Sequence, residues 1–188
     1  MVCATVFGKD ESSGGFEFDQ QMVDHIVELH RDILTGTLVF TSPVLPMHFL
    51  QPLLHLCISD VNKAMLVQCP ALIPAVLDAL FLDPEHVRKD MDETVRARIQ
   101  RDGAECFLQL ALFEPGRELL EQHPEALDAL RALVDGAALT EEARLSASSA
   151  LAAVEGVAPG SAPAGDDKHI MMSCVSCLRA RPPVHAVI

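Results

Sequence analysis

The sequence predicts an all-α protein built as a short α-solenoid, and three observations carry that expectation. The first is a block that occurs twice: residues 52–82 read PLLHLCISDVNKAMLVQCPALIPAVLDALFL, and residues 106–136 read CFLQLALFEPGRELLEQHPEALDALRALVDG. An offset of 54 residues sets Pro70 on Pro124 and pairs Leu54 with Leu108, Leu56 with Leu110, Ile73 with Leu127 and Val76 with Leu130. Each block runs apolar helix, break, short helix, proline, apolar helix, the order of a unit that buries its apolar face only against its neighbours. The second observation is composition: 49% hydrophobic residues but only 4% aromatic, with no Trp and no Tyr. A core of Leu, Ala, Val and Met suits helix-on-helix packing better than a β-sandwich. The third is apolar periodicity at spacings of three and four, the helical signature.

Residues 1–17 end in a Ser-Ser-Gly-Gly turn and are expected to be a disordered tail, with the helical domain spanning 18–155. From about Asp19 to Leu34, Met22, Ile26, Leu29 and Ile33 mark one helix face, and Asp19 is placed to cap it. Gly36 and the run Thr41-Ser42-Pro43 to Pro46 break the helix. The first unit follows, as helices over Met47–Ser59, Val61–Gln68 and Pro70–Leu82, with Pro70 and Pro74 in a first turn, where proline is tolerated. The polar, mixed-charge run LDPEHVRKDMDETVRA reads as a solvated excursion that lengthens the repeat beyond the usual forty-odd residues.

The second unit runs from Glu93 to Val134. Gly103 is expected to bend or break its first helix, and Pro115-Gly116 to turn the chain before a short helix over Arg117–Gln122. A last helix spans Thr140–Val154, with Thr140 as cap and Glu141 and Glu142 in the first turn, where the helix dipole favours acids. Its Ala/Ser-rich sequence permits close packing. Residues 156–168 form a Gly/Pro/Ala-rich linker that buries too little surface to fold, and 169–188 form a final tail.

The net charge is −13 and the pI about 4.9. An acidic surface repels phosphate backbones, which argues against nucleic-acid binding and anionic membranes but permits a basic protein partner. No stretch reaches the roughly 20 uninterrupted apolar residues of a membrane span. The start, MVCATVFGKDESSGG, lacks the basic and apolar regions of a signal peptide. Six cysteines scattered through helices and tails are not a disulfide framework. The expectation is a reduced, cytoplasmic protein.

The two blocks resemble armadillo repeats in their third-helix entries, CPALIPAVLDAL and HPEALDALRALV. The glycine that family carries before the third helix is proline here in both copies. The asparagine with which some members clamp basic peptides is absent from Ala71–Leu82 and Glu125–Val134. The resemblance covers about Met47 to Val154 and implies a right-handed superhelix of three-helix repeats with a binding or scaffolding role.

After the linker, His169-Ile170-Met171-Met172-Ser173 resembles the first β-strand of a Toll/interleukin-1 receptor (TIR) domain. The match stops at Cys174, where that family has Tyr, and a doubly wound domain needs on the order of 100 residues more. The catalytic Glu and NAD pocket of that family would lie beyond Ile188, so no active-site residue is carried over. The tail LRARPPVHAVI turns basic and patternless, and Val175-Ser176 is what a read-through splice donor would encode. The expectation is a truncated gene model or splice form of a longer armadillo–TIR signalling protein.

Chemistry-bearing motifs are sparse. Cys174 and Cys177 give a lone CxxC, which supplies two of the four ligands zinc needs, with His169 and His185 nominally nearby. His48 and His55 share a helix face beside Cys57 but lack further ligands. Cys57, Cys69 and Cys106 read as small buried hydrophobes. With no phosphate loop, nucleophile elbow or paired acids in an apolar cleft, no catalytic, cofactor-binding or metal residue is assigned. The expected function is a non-catalytic protein-interaction or scaffold module, self-associating or binding a protein partner and taking no small-molecule substrate. Its groove would be lined by Ala71–Leu82 and Glu125–Val134, with Leu72, Ile73, Val76, Leu80, Leu127, Leu130 and Leu133 mostly core. The alternative is the regulatory fragment of a TIR-domain NAD-hydrolysing enzyme.

Overall fold

The computed structural model describes residues 19–37 and 47–156, and all regular structure among them is helical. The expected tail, linker and TIR-like strand lie outside the described residues, apart from Gly156.

Helix α1 (Gln20–Leu34) begins where Asp19, in extended conformation, accepts a hydrogen bond from the Met22 amide at 2.8 Å, satisfying one orphan donor of the first turn. It stops at Thr35 and Gly36, whose φ of +75° suits glycine. Its buried residues are Val23, Val27, His30, Ile33 and Leu34, whereas Met22, Ile26 and Leu29 are half-buried. The apolar face is thus centred one residue later than the expected stripe, on a helix that packs against α2, α3 and α4.

The first unit comprises α2 (Met47–Leu56), α3 (Asp60–Leu66) and α4 (Leu72–Asp78). The expected third helix is trimmed to its middle: single turns flank α4, and Phe81 ends the segment at φ +53°, in the left-handed region that side chains disfavour. The 83–92 excursion is only partly the solvated loop expected. Arg88 Nε and Nη2 both donate to the Ile33 carbonyl, at 3.1 and 2.9 Å, and His86 meets the Phe81 ring edge-on at 4.7 Å. The run is a strap pinned to the end of α1.

The second unit comprises α5 (Glu93–Ala111), α6 (Glu114–Glu121) and α7 (Pro124–Ala132). Two glycine readings are corrected here. Gly103 neither bends nor breaks α5; it is buried mid-helix, where a Cβ would stand 3.2 Å from Ala79 Cβ and 3.2 Å from Leu80 Cδ2. Pro115-Gly116 does not precede α6 but occupies its first turn, and a Cβ on Gly116 would lie 2.4 Å from the Leu110 carbonyl oxygen. In both places glycine serves close approach between helices. α7 widens into a π-type turn over Leu133–Ala137, ended by Gly136 at φ +123°. α8 (Glu141–Val154) then starts with the Thr140 hydroxyl accepting from the Ala143 amide.

Several helices pack on the third helix after them, and others on their immediate neighbour in the chain, as α5 on α6 and α7 on α8. α1 lies on α4, α2 on α5 and α5 on α8, the last being the most extensive contact, while α3 meets α6 and α4 meets α7 more lightly. Burial keeps the 54-residue offset: Leu53 and Phe107, Leu56 and Leu110, Leu66 and Leu120, and Val76 and Leu130 are buried in pairs. Each such side chain contributes about 1.5–3 kcal/mol when fully buried. One hydrophobic cluster therefore runs from Val23 in α1 to Ala150 in α8.

Candidate functional site

The third-helix stripes lie where a core would put them. Leu72, Ile73, Val76, Leu80, Leu130 and Leu133 are buried, and Leu127 is half-buried. The carboxylates outside the core on α1, α4 and α7 are Glu28, Glu125 and Asp128, which are exposed, and Asp24, Asp32 and Asp78, which are half-buried. The basic residues on these helices are ion-paired: Arg31 reaches Asp78 at 3.9 Å, between α1 and α4, and Arg131 pairs with Asp128 at 2.9 Å. Burial raises the Asp78 carboxyl above its ordinary range, against the pull of Arg31 and His86.

An open cleft of about 340 Å³ lies between the first turns of α5 and the start of α8, with Thr94, Arg98, Arg101, Thr140 and Glu142 among its walls. Its polar groups have internal duties. Arg101 Nε and Nη2 donate to Asp102 Oδ1 at 3.0 and 2.7 Å, and the Thr140 hydroxyl caps α8. The cleft sets two guanidiniums beside a carboxylate, with no nucleophile and base in partnership.

Among the described residues no group of three or more His, Cys, Asp or Glu is arranged to hold a metal ion. His169, Cys174, Cys177 and His185 lie outside the described residues. His55 is exposed and Cys57 buried, so these two near neighbours in sequence face different surroundings. Cys57, Cys69 and Cys106 are free and buried. The Cys106 thiol is pushed well above its usual range, by a hydrogen bond with Cys57 and by burial. Burial likewise raises Cys69, with Asp24 and Glu28 adding to it. Thiols held protonated are poor nucleophiles.

Two features were not foreseen from sequence. His30 is buried with neither ring nitrogen hydrogen-bonded, and burial lowers its pKa to about 4. Ile58 and Leu112 stand in solvent at the turns between first and second helices, and Val61 in the first turn of α3. The same 54-residue offset sets Ile58 on Leu112, a signal that could have found them and that helix periodicity alone obscures.

No described helix is long and apolar enough to cross a membrane. No family model, no curated protein and no solved structure matches this chain.

Proposed function

We propose that this chain is a non-catalytic protein–protein interaction module, an armadillo-like α-solenoid whose three-helix units present a surface to a protein partner. The observation that carries this reading is the packing of each helix on the third after it. In this reading α1, α4 and α7 form one layer that carries the carboxylates Glu28, Asp32, Asp78, Glu125 and Asp128. A right-handed superhelix is what the resemblance to armadillo repeats implies for such units. The acidic character of the layer favours a partner with a basic surface, since complementary charge speeds encounter and fixes orientation. In a longer armadillo–TIR protein the role would be regulatory or clustering; the module reading does not depend on residues 169–188.

The test is a crosslinking pull-down with the wild-type chain and an Asp78→Lys/Asp128→Lys variant, joined to an NAD-consumption assay and light scattering. Capture of a defined protein by wild type and its loss in the folded variant support the reading. A monodisperse dimer weakened by the same substitutions would make the partner a second copy. NAD turnover by the purified chain, or a capture profile indifferent to the substitutions, overturns it.

A further inference from the structure

Three large apolar side chains stand far out in solvent, Val61 at 69%, Ile58 at 65% and Leu112 at 64% exposure. They fall at equivalent corners of the two units. Ile58 lies in the turn from α2 into α3, Leu112 in the turn from α5 into α6, and Val61 in the first turn of α3. The corners are neighbours because α2 packs on α5 and α3 on α6. A direct contact ties them: the Lys63 ammonium of α3 stands 5.3 Å from the centroid of the Phe113 ring in the second corner. Ile58 and Leu112 hold equivalent places in adjoining units, and packed helices lie about 8–10 Å apart, so the two corners form a stepped apolar ridge in the reading that follows. The charge presented beside the ridge is negative. Asp60 and Glu114, which open α3 and α6, are 78% and 65% exposed, whereas the cations they pair with are withdrawn, Lys63 to 7% and Arg117 to 34%.

We propose that this ridge docks an amphipathic helix of a partner protein, with apolar residues about seven positions apart and Lys or Arg on its flanks. Seven residues of helix rise about 10.5 Å, close to the roughly 8–10 Å that separates packed helices. Neither Ile58 nor Leu112 is needed by its own unit's core, since both are already mostly in solvent, and large apolar side chains so exposed are the kind that anchor a partner. The proposal rests on the interaction-module reading but uses a different face from the α1–α4–α7 layer.

The probe is a fluorescein-labelled amphipathic Leu–Lys peptide of about five helical turns, with a Ser–Lys peptide of equal charge as control, both followed by anisotropy at near-physiological salt. The expected result is that the Leu–Lys peptide binds the full chain and the Ser–Lys peptide binds at least about tenfold more weakly. Ile58→Ser/Leu112→Ser should lose about tenfold or more for the Leu–Lys peptide, while Val87→Ser, at a residue 60% exposed in the strap, leaves binding unchanged. No binding, equal affinity for the two peptides, or equal loss in the Val87 variant overturns the proposal. Ile58 and Leu112 lie off the α4–α7 layer, so the Asp78/Asp128 variant can fail its own test while this one stands, and the reverse.

Discussion

The Gln100 side-chain amide donates to the Leu80 carbonyl at 2.8 Å from inside the core, joining α5 to the end of the first unit. The same group reaches the Ala137 carbonyl at 3.2 Å, and its oxygen accepts from the Leu139 amide at 2.7 Å. One buried side chain thus satisfies three backbone groups from two segments that do not form helical ladders. Gln100→Leu keeps the volume but strands all three. A buried polar group left unmade costs about 1–3 kcal/mol, and partial relaxation makes the losses less than additive, so we expect about 3 kcal/mol of destabilisation. Urea unfolding measures it; a loss under about 1 kcal/mol would mean that water replaces the amide.

Gly116→Ala sets two effects against each other. In an exposed helix the change stabilises by about 1 kcal/mol. At Gly116 the new Cβ would sit 2.4 Å from the Leu110 oxygen, a backbone atom that cannot swing aside. Overpacking costs about 1–3 kcal/mol and here outweighs propensity. The expected result is a lower thermal midpoint, with α6 shifted off α5. Stabilisation by this variant would refute the close approach.

How much of this was legible in the sequence follows from what each residue type signals. Caps and periods were readable: Asp19 and Thr140 cap α1 and α8 where their spacing indicated, because a short side-chain acceptor before an apolar run has few other uses. Gly103 and Gly116 were misread as punctuation, since a glycine chosen for lack of a Cβ looks the same in sequence as one chosen for its φ. Arg88 gave no sign of its partner, 55 residues away in Ile33. The absence of an assigned catalytic residue left no constellation to place. The apolar corners were half visible, through the offset that pairs Ile58 with Leu112, but exposure depends on tertiary packing and cannot be read from period alone.

The forked contact of Arg88 with Ile33 predicts a local consequence. Hydrogen bonds from a charged group are worth about 1.5–3 kcal/mol when sheltered, and Arg88 is half-buried, so Arg88→Ala should cost about 1–2 kcal/mol. The effect should concentrate in residues 83–92, where hydrogen exchange and tryptic cleavage at Lys89 would quicken. Arg88→Lys restores the charge but not the two-pronged geometry and should recover only part of the protection. Unchanged exchange in Arg88→Ala would show that the strap is held by Phe81 and His86 instead.

His30 gives the pH prediction. Its folded pKa is about 4 against an ordinary 6.5, because burial disfavours the charged ring. Between those values the unfolded chain binds a proton that the folded chain does not. Stability is therefore unaffected above pH 6.5 and declines as pH falls towards 4, by up to about 3 kcal/mol from this group. His30→Leu, close in volume and with no unpaired nitrogens, should be at least as stable at pH 7.5. Its urea midpoint should fall less steeply than that of wild type between pH 6.5 and 4. Carboxylates titrate in both proteins over the lower part of this range, so the readout is the difference between the two slopes. Parallel slopes would mean that His30 takes up its proton alike in the folded and unfolded chains; a converging pair at neutral pH that separates in acid is the expected signature of a histidine kept neutral by its surroundings.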